Sequence, residues 1–345
     1  MTHSSTFVRR TRVAVLVPAS GCLIAALLWS PTADAEPPIT PPKTTVEVYD
    51  DFDAAGYSLD DYRRKWSNPY GLGEMALSDT RSFTRGSFRV AAVPFRTGVD
   101  FSVFDHLKYI AISNKAFPVP ATGSVEISSR IKASTPGTEP GRVIHGTYVE
   151  SGAPYAEPTL EGQQAGVVMN VIDFSTGQLF DWFVAGGTAF PLIERLPSSV
   201  TGNAPEGSPD HVGREKMYTQ IITEIPASPG THTVGIRFNR DADGSSVDYL
   251  FDGEVVAHVD NVGVPLDAQN VPYSGIYPSL GAGEDLSSKI NSLVIGHGLF
   301  SLLDAFPFQH SEAPELSVSI PVSERLFGQG ATGTFDDFKV KTVSR

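Results

Sequence analysis

Short segments in which polar and apolar residues alternate constrain the fold of this chain more than any other feature. In segment 124–132, Val125, Ile127 and Ile131 fall on one side of an extended chain, and charged side chains fall on the other. Alternation with a period of two is typical of a β-strand with one face in water. The chain also contains 32 Gly and 26 Pro, and helix-forming runs are scarce. The sequence therefore predicts an all-β fold of short strands joined by turns.

The same pattern predicts strands along the rest of the chain. They are expected over 88–93, 166–174, 179–184, 218–225, 231–238, 247–251, 254–259, 292–295 and 316–320. Asp252-Gly253 predicts a tight turn, and short helices are expected over 59–66, with Ser58 as N-cap, and over 299–306. We expect a two-sheet antiparallel β-sandwich of the jelly-roll type. A closed barrel is an alternative, and a propeller is disfavoured because no blade-length repeat is present.

The N-terminal residues have the pattern of a cleaved signal peptide. Arg9, Arg10 and Arg12 precede an apolar stretch over 13–28, and Ala33-Asp34-Ala35 supplies small residues at a cleavage site. A permanent membrane anchor is the alternative, but polar and helix-breaking residues interrupt the stretch, and a spanning helix needs about 20 strongly apolar residues. The sequence therefore predicts secretion.

Removal of the signal peptide would change the chemistry available to the chain. Cys22 is the single cysteine, so thiol catalysis, thiolate zinc sites and disulfides are excluded from the remainder. The net charge of −13 would become −15, because three Arg and Asp34 are lost. An acidic surface disfavours nucleic acid and anionic membranes as partners. We expect a signal peptide over 1–35, a Pro-rich tether over 36–44 and a single β-rich domain over 45–345.

Two segments near the ends of the chain resemble the terminal strands of concanavalin A-like jelly rolls. Val48–Asp53 contains Asp-Asp-Phe, with Trp66 downstream, and Thr334–Val340 contains Phe-Asp-Asp-Phe. In that superfamily the first and last strands lie close together. Segments 124–133 and 236–256 resemble a cleft strand and a late hairpin of family 16 glycoside hydrolases. The resemblance implies a concanavalin A-like fold and a carbohydrate or polysaccharide partner.

The resemblance does not extend to the catalytic carboxylates of family 16 glycoside hydrolases. Those enzymes carry the pair on one strand, as Glu-Ile-Asp-x-x-Glu or a close variant. The matching stretch, Asn170–Thr176, keeps Ile172 and Asp173, but Val171 replaces the first Glu and no second Glu follows. The signatures of alginate-lyase jelly rolls are absent too. An acid pair recruited from other strands is the alternative route to catalysis.

Four segments also resemble an uncharacterised family of secreted bacterial proteins, which supports the fold and assigns no mechanism. They are 173–177, 180–182, 193–197 and 323–330. Aromatic rings beside carboxylates can stack on sugars and orient their hydroxyls. The candidate ligand-binding residues are Asp173, Asp181, Trp182, Glu194, Arg195, His145 and Tyr148. The alternatives are packing in the core or sheet for Trp182, His145 and Tyr148, and a surface ion pair for Glu194 with Arg195.

Paired aspartates near both ends of the chain are candidates for a calcium site. They are Asp50, Asp51, Asp336 and Asp337, whose carboxylates are the oxygen ligands that calcium takes. The alternative is that they accept local hydrogen bonds. No other cofactor is expected, since the seven His beyond residue 35 lack the spacing of a zinc site.

Three hypotheses for function follow from these patterns. The first is a secreted carbohydrate-binding domain without catalytic activity. The second is a polysaccharide lyase or glycoside hydrolase with a non-standard active site. The third is a structural or adhesion domain that binds no small ligand.

Overall fold

The alternating segments form β-strands in the computed structural model, which describes residues 41–68, 80–84, 86–98, 103–270, 279–304, 309 and 312–345. Residues 41–345 cluster as one unit. The predicted signal peptide and residues 36–40 of the predicted tether lie outside the described residues. No helix in the described part is both long and apolar enough to span a membrane.

Strands dominate the described backbone, and the helices are short. The strands are β1 Lys43–Asp50, β2 Trp66–Ser67, β3 Thr80–Thr84, β4 Ser87–Ala92, β5 Leu107–Ser113, β6 Phe117–Pro118, β7 Gly123–Ser134, β8 Val143–Tyr148, β9 Pro154–Pro158, β10 Gly166–Asp173, β11 Gln178–Val184, β12 Thr188–Arg195, β13 Tyr218–Ile221, β14 Ile225–Pro226, β15 Thr231–Arg240, β16 Ser245–Phe251, β17 Glu254–Asp260, β18 Ser292–Phe300, β19 Val318–Ser319 and β20 Ala331–Ser344. The α-helices are α1 Leu59–Lys65, α2 Glu161–Gln164, α3 Ser198–Thr201 and α4 Val322–Arg325.

Two large antiparallel sheets form the body of the fold. The first contains eight strands in the order β17-β16-β15-β7-β20-β4-β3, with β1 also paired to β20. The second contains nine strands in the order β13-β12-β11-β10-β18-β5-β2, with β14 on β12 and β6 on β18. A separate sheet of three strands has the order β19-β8-β9. The prediction of an all-β, two-sheet antiparallel sandwich of the jelly-roll type is confirmed.

The first and last strands are neighbours, as the resemblance implied. β1 runs antiparallel to the C-terminal half of β20, from Lys43 opposite Ser344 to Asp50 opposite Phe338. The register of β20 against β7 shifts between Asp336 and Lys339, which marks a β-bulge. β1 begins at Lys43, two residues before the expected start of the domain.

The main hydrophobic core lies between the two large sheets. Alternate residues of each strand point into it, so Val125, Ile127 and Ile131 of β7 are fully buried there. Aromatic side chains fill the end nearest β2, where Trp66 lies edge-on to His297 with ring centres 4.6 Å apart. His297 has no exposed surface, and Tyr62 Oη lies 2.9 Å from its Nε2. This packing fixes the inner face of the nine-stranded sheet.

Local sequence signals explain several of the element ends. Ser58 caps α1 by accepting a hydrogen bond from the Asp61 amide, and the Asp61 carboxylate accepts one from the Ser58 amide in return. Asp252 and Gly253 both take positive φ, at 51° and 91°, which is the backbone of the tight turn expected between β16 and β17. The helix at α1 and this hairpin are therefore confirmed.

Other predicted elements are shorter, split or of the wrong type. The helix expected over 299–306 is wrong: Leu299 and Phe300 end strand β18, and Leu302–Asp304 is a single 3₁₀ turn. Residues 305 and 306 lie outside the described residues. The strand expected over 218–225 is divided between β13 and β14. A run of eight mostly apolar residues suits a buried strand as well as a helix, so its length and composition could not distinguish the two.

Candidate functional site

The outer face of the nine-stranded sheet carries an apolar groove. Five adjacent strands form its floor, and the loops around α3 and the 3₁₀ turn before β5 form its rim. The groove is open to solvent, and the space in it that water-sized molecules can occupy is about 70 Å³. The apolar floor residues are Leu107, Ile110, Ile112, Ile172, Leu179 and Phe300.

Half of the same sheet face is closed by loops, which restricts the groove to the other half. Phe190 and Leu192 of β12 belong to a second apolar cluster, separate from the core, that contains Val212, Met217 and the buried floor of the groove. Since both faces of β10, β11 and β12 are covered there, the strands are hydrophobic on both sides. The open part of the face is therefore a bounded pocket.

A buried asparagine provides a polar point on the groove floor. Asn170 on β10 is 1% exposed, and its Nδ2 donates a hydrogen bond of 2.8 Å to Asp181 Oδ1 on β11. Its Oδ1 is buried and accepts no hydrogen bond in the structure. Gly296 of β18 lies directly opposite Asn170, and a Cβ there would lie 2.9 Å from Asn170 Oδ1. The missing side chain at Gly296 leaves room for the amide.

Two acidic side chains lie beside this asparagine. Asp181 on β11 is 2% exposed and does not line the groove, whereas Glu194 on β12 is partly exposed and lines it. Thr219 Oγ1 of β13 donates a hydrogen bond of 3.0 Å to Glu194 Oε2. Burial raises the pKa of Glu194 to about 7. Burial, and then the nearby Glu194 carboxylate, raise the pKa of Asp181 well above its usual range.

No positive charge balances these two carboxyl groups within the described part of the chain. The shifts in the pKa of Asp181 and Glu194 contain no contribution from Lys, Arg or His. Arg195 follows Glu194 directly but points to the opposite face, where its Nη2 lies 2.9 Å from Glu284 Oε2. The apolar groove thus ends at Glu194, with Asp181 nearby, and burial favours the protonated form of both carboxyl groups.

The structure brings together two of the residues expected from sequence and separates the others. Asp181 and Glu194 share the outer face of the sheet. Trp182 lies on the inner face, fully buried in the core, where its Nε1 donates a 2.9 Å hydrogen bond to Gly235 O. Arg195 is 2% exposed, and its Nε donates to Thr176 O, 3.0 Å away. The core packing considered for Trp182 is thus what the structure contains.

Asp173 closes the hairpin between β10 and β11. Its carboxylate accepts hydrogen bonds from the amide and hydroxyl of Ser175 and from the hydroxyl of Thr176, at 2.7–3.1 Å. The side chain is 3% exposed. The residue that aligned with the family 16 motif therefore holds a turn together.

His145 and Tyr148 belong to the three-stranded sheet, away from the groove lining. Both lie on β8, where exposed His145 is 3.3 Å from Glu324 Oε2 through its Nδ1. Tyr148 packs edge-on against Tyr155 of β9, with ring centres 5.7 Å apart. These contacts are those of ordinary sheet packing.

Asp50 is occupied by protein donors. Its carboxylate accepts hydrogen bonds from Tyr57 Oη at 2.6 Å, Lys65 Nζ at 2.8 Å and Trp66 Nε1 at 2.8 Å. The side chain has no exposed surface. Asp50 therefore joins β1 to α1 and β2 in this structure.

The other aspartates proposed for calcium also have local partners. Asp51 accepts a hydrogen bond from the Asp53 amide, Asp336 lies 2.9 Å from Arg130 Nη1, and Asp337 pairs with Lys339. In the described ranges, no group of three His, Cys, Asp or Glu side chains is placed to hold a metal ion.

Sequence reasoning missed Asn170, Thr219 and the apolar lining. One signal was available for Asn170, because it is the single polar residue in the apolar run Gly166–Ile172. A lone amide in a strand buried on both faces requires hydrogen-bond partners. Thr219 had no comparable signal, since its contact with Glu194 depends on the pairing of β12 with β13.

Comparisons with known proteins identify a family and a set of distant folds. The model of a family of unknown function (DUF6081) matches residues 49–344. No curated protein matches the chain.

Three solved structures illustrate the distant similarity. An endo-1,3-beta-glucanase from Streptomyces sioyaensis is 12% identical, with 90% of this chain and 100% of that chain covered and a TM-score of 0.45. Beta-agarase B from Zobellia galactanivorans is 10% identical, with 90% and 96% covered and a TM-score of 0.43. An alginate lyase from Pseudomonas aeruginosa is 10% identical, with 86% and 96% covered and a TM-score of 0.33.

Proposed function

This chain belongs to a family of unknown function (DUF6081), and we propose that it is a secreted carbohydrate-binding protein without catalytic activity. The proposed site is the groove on the outer face of the nine-stranded sheet. Its ligand would place an apolar sugar face on the floor and a hydroxyl at the polar end.

The unpartnered Asn170 Oδ1 is the observation that carries this proposal. A buried carbonyl oxygen without a hydrogen bond is unfavourable by roughly 1–3 kcal/mol, and this one, itself covered from solvent, belongs to a residue that lines the groove. A hydroxyl donor from a ligand would satisfy it. Glu194, which also lines the groove, supplies carboxyl oxygens. A mostly apolar lining with a few convergent polar atoms is the usual composition of a ligand site.

Binding is favoured over cleavage by what occupies the central strand. The residues of β10 that face outward are Val168, Asn170 and Ile172, none of which can donate or accept a proton in catalysis. Asp173 is engaged by its own turn. A family 16-like mechanism would need carboxylates on this strand, and the outward-facing residues of β10 include none.

A second candidate function is acid–base chemistry on a polysaccharide by Asp181 and Glu194. Two neighbouring carboxyl groups whose pKa values are both raised by burial are candidates for a general acid and its partner. In this alternative, Glu194 would be the acid because it alone of the two lines the groove. Release of reducing or unsaturated ends from neutral or uronate polysaccharides, lost in Glu194→Gln, would favour it.

A glycan array probed with the purified protein tests the first proposal. We expect selective glycan binding that does not need calcium and that is lost in Asn170→Leu, a variant of similar size without the polar atoms. Thermal unfolding would establish that the variant is folded. Binding to no glycan, with or without calcium, would overturn the proposal in favour of a structural or adhesion role. Binding retained in folded Asn170→Leu would overturn the assignment to the groove.

A further inference from the structure

The carboxyl pair at the end of the groove lacks a counter-charge, and this absence suggests what the ligand carries. Asp181 and Glu194 receive hydrogen bonds from two neutral side chains, Asn170 and Thr219. Within the described residues, no cation affects the pKa of either carboxyl. Buried carboxyl groups without a cation beside them keep their protons, and a cation that enters would favour the ionised form. Of the pair, Glu194 lines the groove.

Three atoms at the polar end of the groove are hydrogen-bond acceptors. They are Asn170 Oδ1, which is buried and whose orientation is set by the bond from its Nδ2 to Asp181, and, once Glu194 is ionised, its two carboxyl oxygens, of which Oε2 already accepts from Thr219. An ammonium group has three donors and no acceptor. It therefore matches this set better than a hydroxyl, which has one donor.

The overall charge of the chain favours the same class of ligand. The net charge of −13 attracts cations and repels uronates and sulfated glycans at long range. The other ionisable groups near the groove do not reverse this preference for cationic over anionic ligands. Tyr218 and Tyr249 lie on the opposite face, where burial raises the pKa of each. Arg195 is held there by Glu284, and His106 lies at the rim beside Phe300.

We propose that the groove binds a carbohydrate that carries a free ammonium group, an amino sugar, with its nitrogen between Asn170 and Glu194. The inference rests on the proposed carbohydrate-binding function and specifies its ligand class. On binding, Glu194 loses its proton to the solvent, and the resulting carboxylate pairs with the ammonium. Asp181 does not line the groove, and its carboxyl accepts the hydrogen bond that orients Asn170.

Isothermal titration at pH 6 with three oligosaccharides of equal length tests this inference. The probes are a glucosamine oligomer, its N-acetylated form and a neutral glucose oligomer. We expect the glucosamine oligomer to bind at least tenfold more tightly than the other two. Titration in two buffers of different ionisation enthalpy would reveal proton release for glucosamine and none for glucose.

Variants distinguish recognition of the ammonium charge from binding of the sugar itself. Asp181→Asn removes a carboxyl that orients Asn170 without lining the groove, so it should weaken glucosamine binding about tenfold and glucose binding by less. Asp243→Asn, at an exposed turn, is the matched control and should change neither. Equal affinity for all three oligomers would overturn the ammonium inference while the carbohydrate-binding function stands. Binding of none would overturn the proposed function itself.

Discussion

Asp181 and Glu194 lie one diagonal step apart on neighbouring antiparallel strands and share the outer face of the nine-stranded sheet. Asp181 pairs with Leu192, two residues before Glu194, and Leu179 pairs with Glu194. Diagonal neighbours in such a ladder are roughly 7–8 Å apart at the backbone, within reach of side chains of this length. The register of β11 with β12 therefore creates a buried acidic pair that neither strand contains alone.

Glu194 should make the protein less stable as the pH rises towards neutrality. Its pKa is about 7 in the fold and 4.5 in the unfolded reference, so the folded state binds the proton more tightly. The stabilisation is complete below about pH 4.5 and is lost as the pH rises through about 7. The difference is on the order of 3 kcal/mol. In Glu194→Gln, the free energy of unfolding measured by chemical denaturation should not show this decrease between pH 4.5 and 8.

Glu150→Gln is the matched control for that measurement, because Glu150 is exposed. It should keep the wild-type pH profile. If Glu194→Gln and Glu150→Gln had the same profile as the wild type, Glu194 would not be a protonated buried group.

His297 should make the protein less stable as the pH falls into the acidic range. Burial lowers its pKa from 6.5 to about 3, so the neutral ring is the folded form. The stabilisation is complete above about pH 6.5 and is lost as the pH falls towards 3, by about 2 kcal/mol at pH 5. His297→Phe keeps an aromatic ring, and its free energy of unfolding should vary less over pH 3–6.5. An unchanged slope in this variant would show that His297 is not the source.

Trp182 should matter for stability and not for ligand binding. Trp182→Phe leaves Gly235 O without its donor and opens space between the sheets, which should reduce the free energy of unfolding by roughly 1–3 kcal/mol. Titration with the best-binding glycan from the array should give the wild-type affinity. A large loss of affinity in a folded Trp182→Phe protein would indicate that Trp182 contributes to the ligand site.

Asp50 should stabilise the fold in the presence or absence of calcium. Asp50→Asn removes the charge that neutralises Lys65 and can satisfy fewer donors, so we expect a loss of roughly 2–4 kcal/mol. Exposed Asp51→Asn should have little effect. Both results should be the same in calcium and in a chelator. Calcium stabilisation of the wild type that is absent in Asp50→Asn would identify Asp50 as a calcium ligand.

The strands could be predicted where one face is wet, because alternation then appears in the sequence. β7 and β15 are of this kind, and their bounds were predicted within a few residues. The outer face of β10, β11 and β12 is also covered, so these strands are almost continuously apolar and their sequence does not say which residues share a face. Leu299 was misassigned for the same reason, since it lies in a buried apolar strand.

The site was only partly predictable from the residues. Asp181 and Glu194 were each candidates, but their proximity depends on a register between strands that local sequence does not encode. Asp173 had the stronger sequence argument and is a turn residue. Asn170, which carries the proposal, became visible only when the structure left its Oδ1 without a partner.

Blocking the groove tests the central claim most directly. Val200 on α3 lines the rim, and Val322 is a valine on α4, another four-residue helix, outside the groove lining. Titration of Val200→Trp and Val322→Trp with glucosamine and glucose oligomers should give at least a tenfold loss of affinity in the first variant and wild-type affinity in the second. Wild-type affinity in a folded Val200→Trp protein would contradict the assignment of the groove as the binding site.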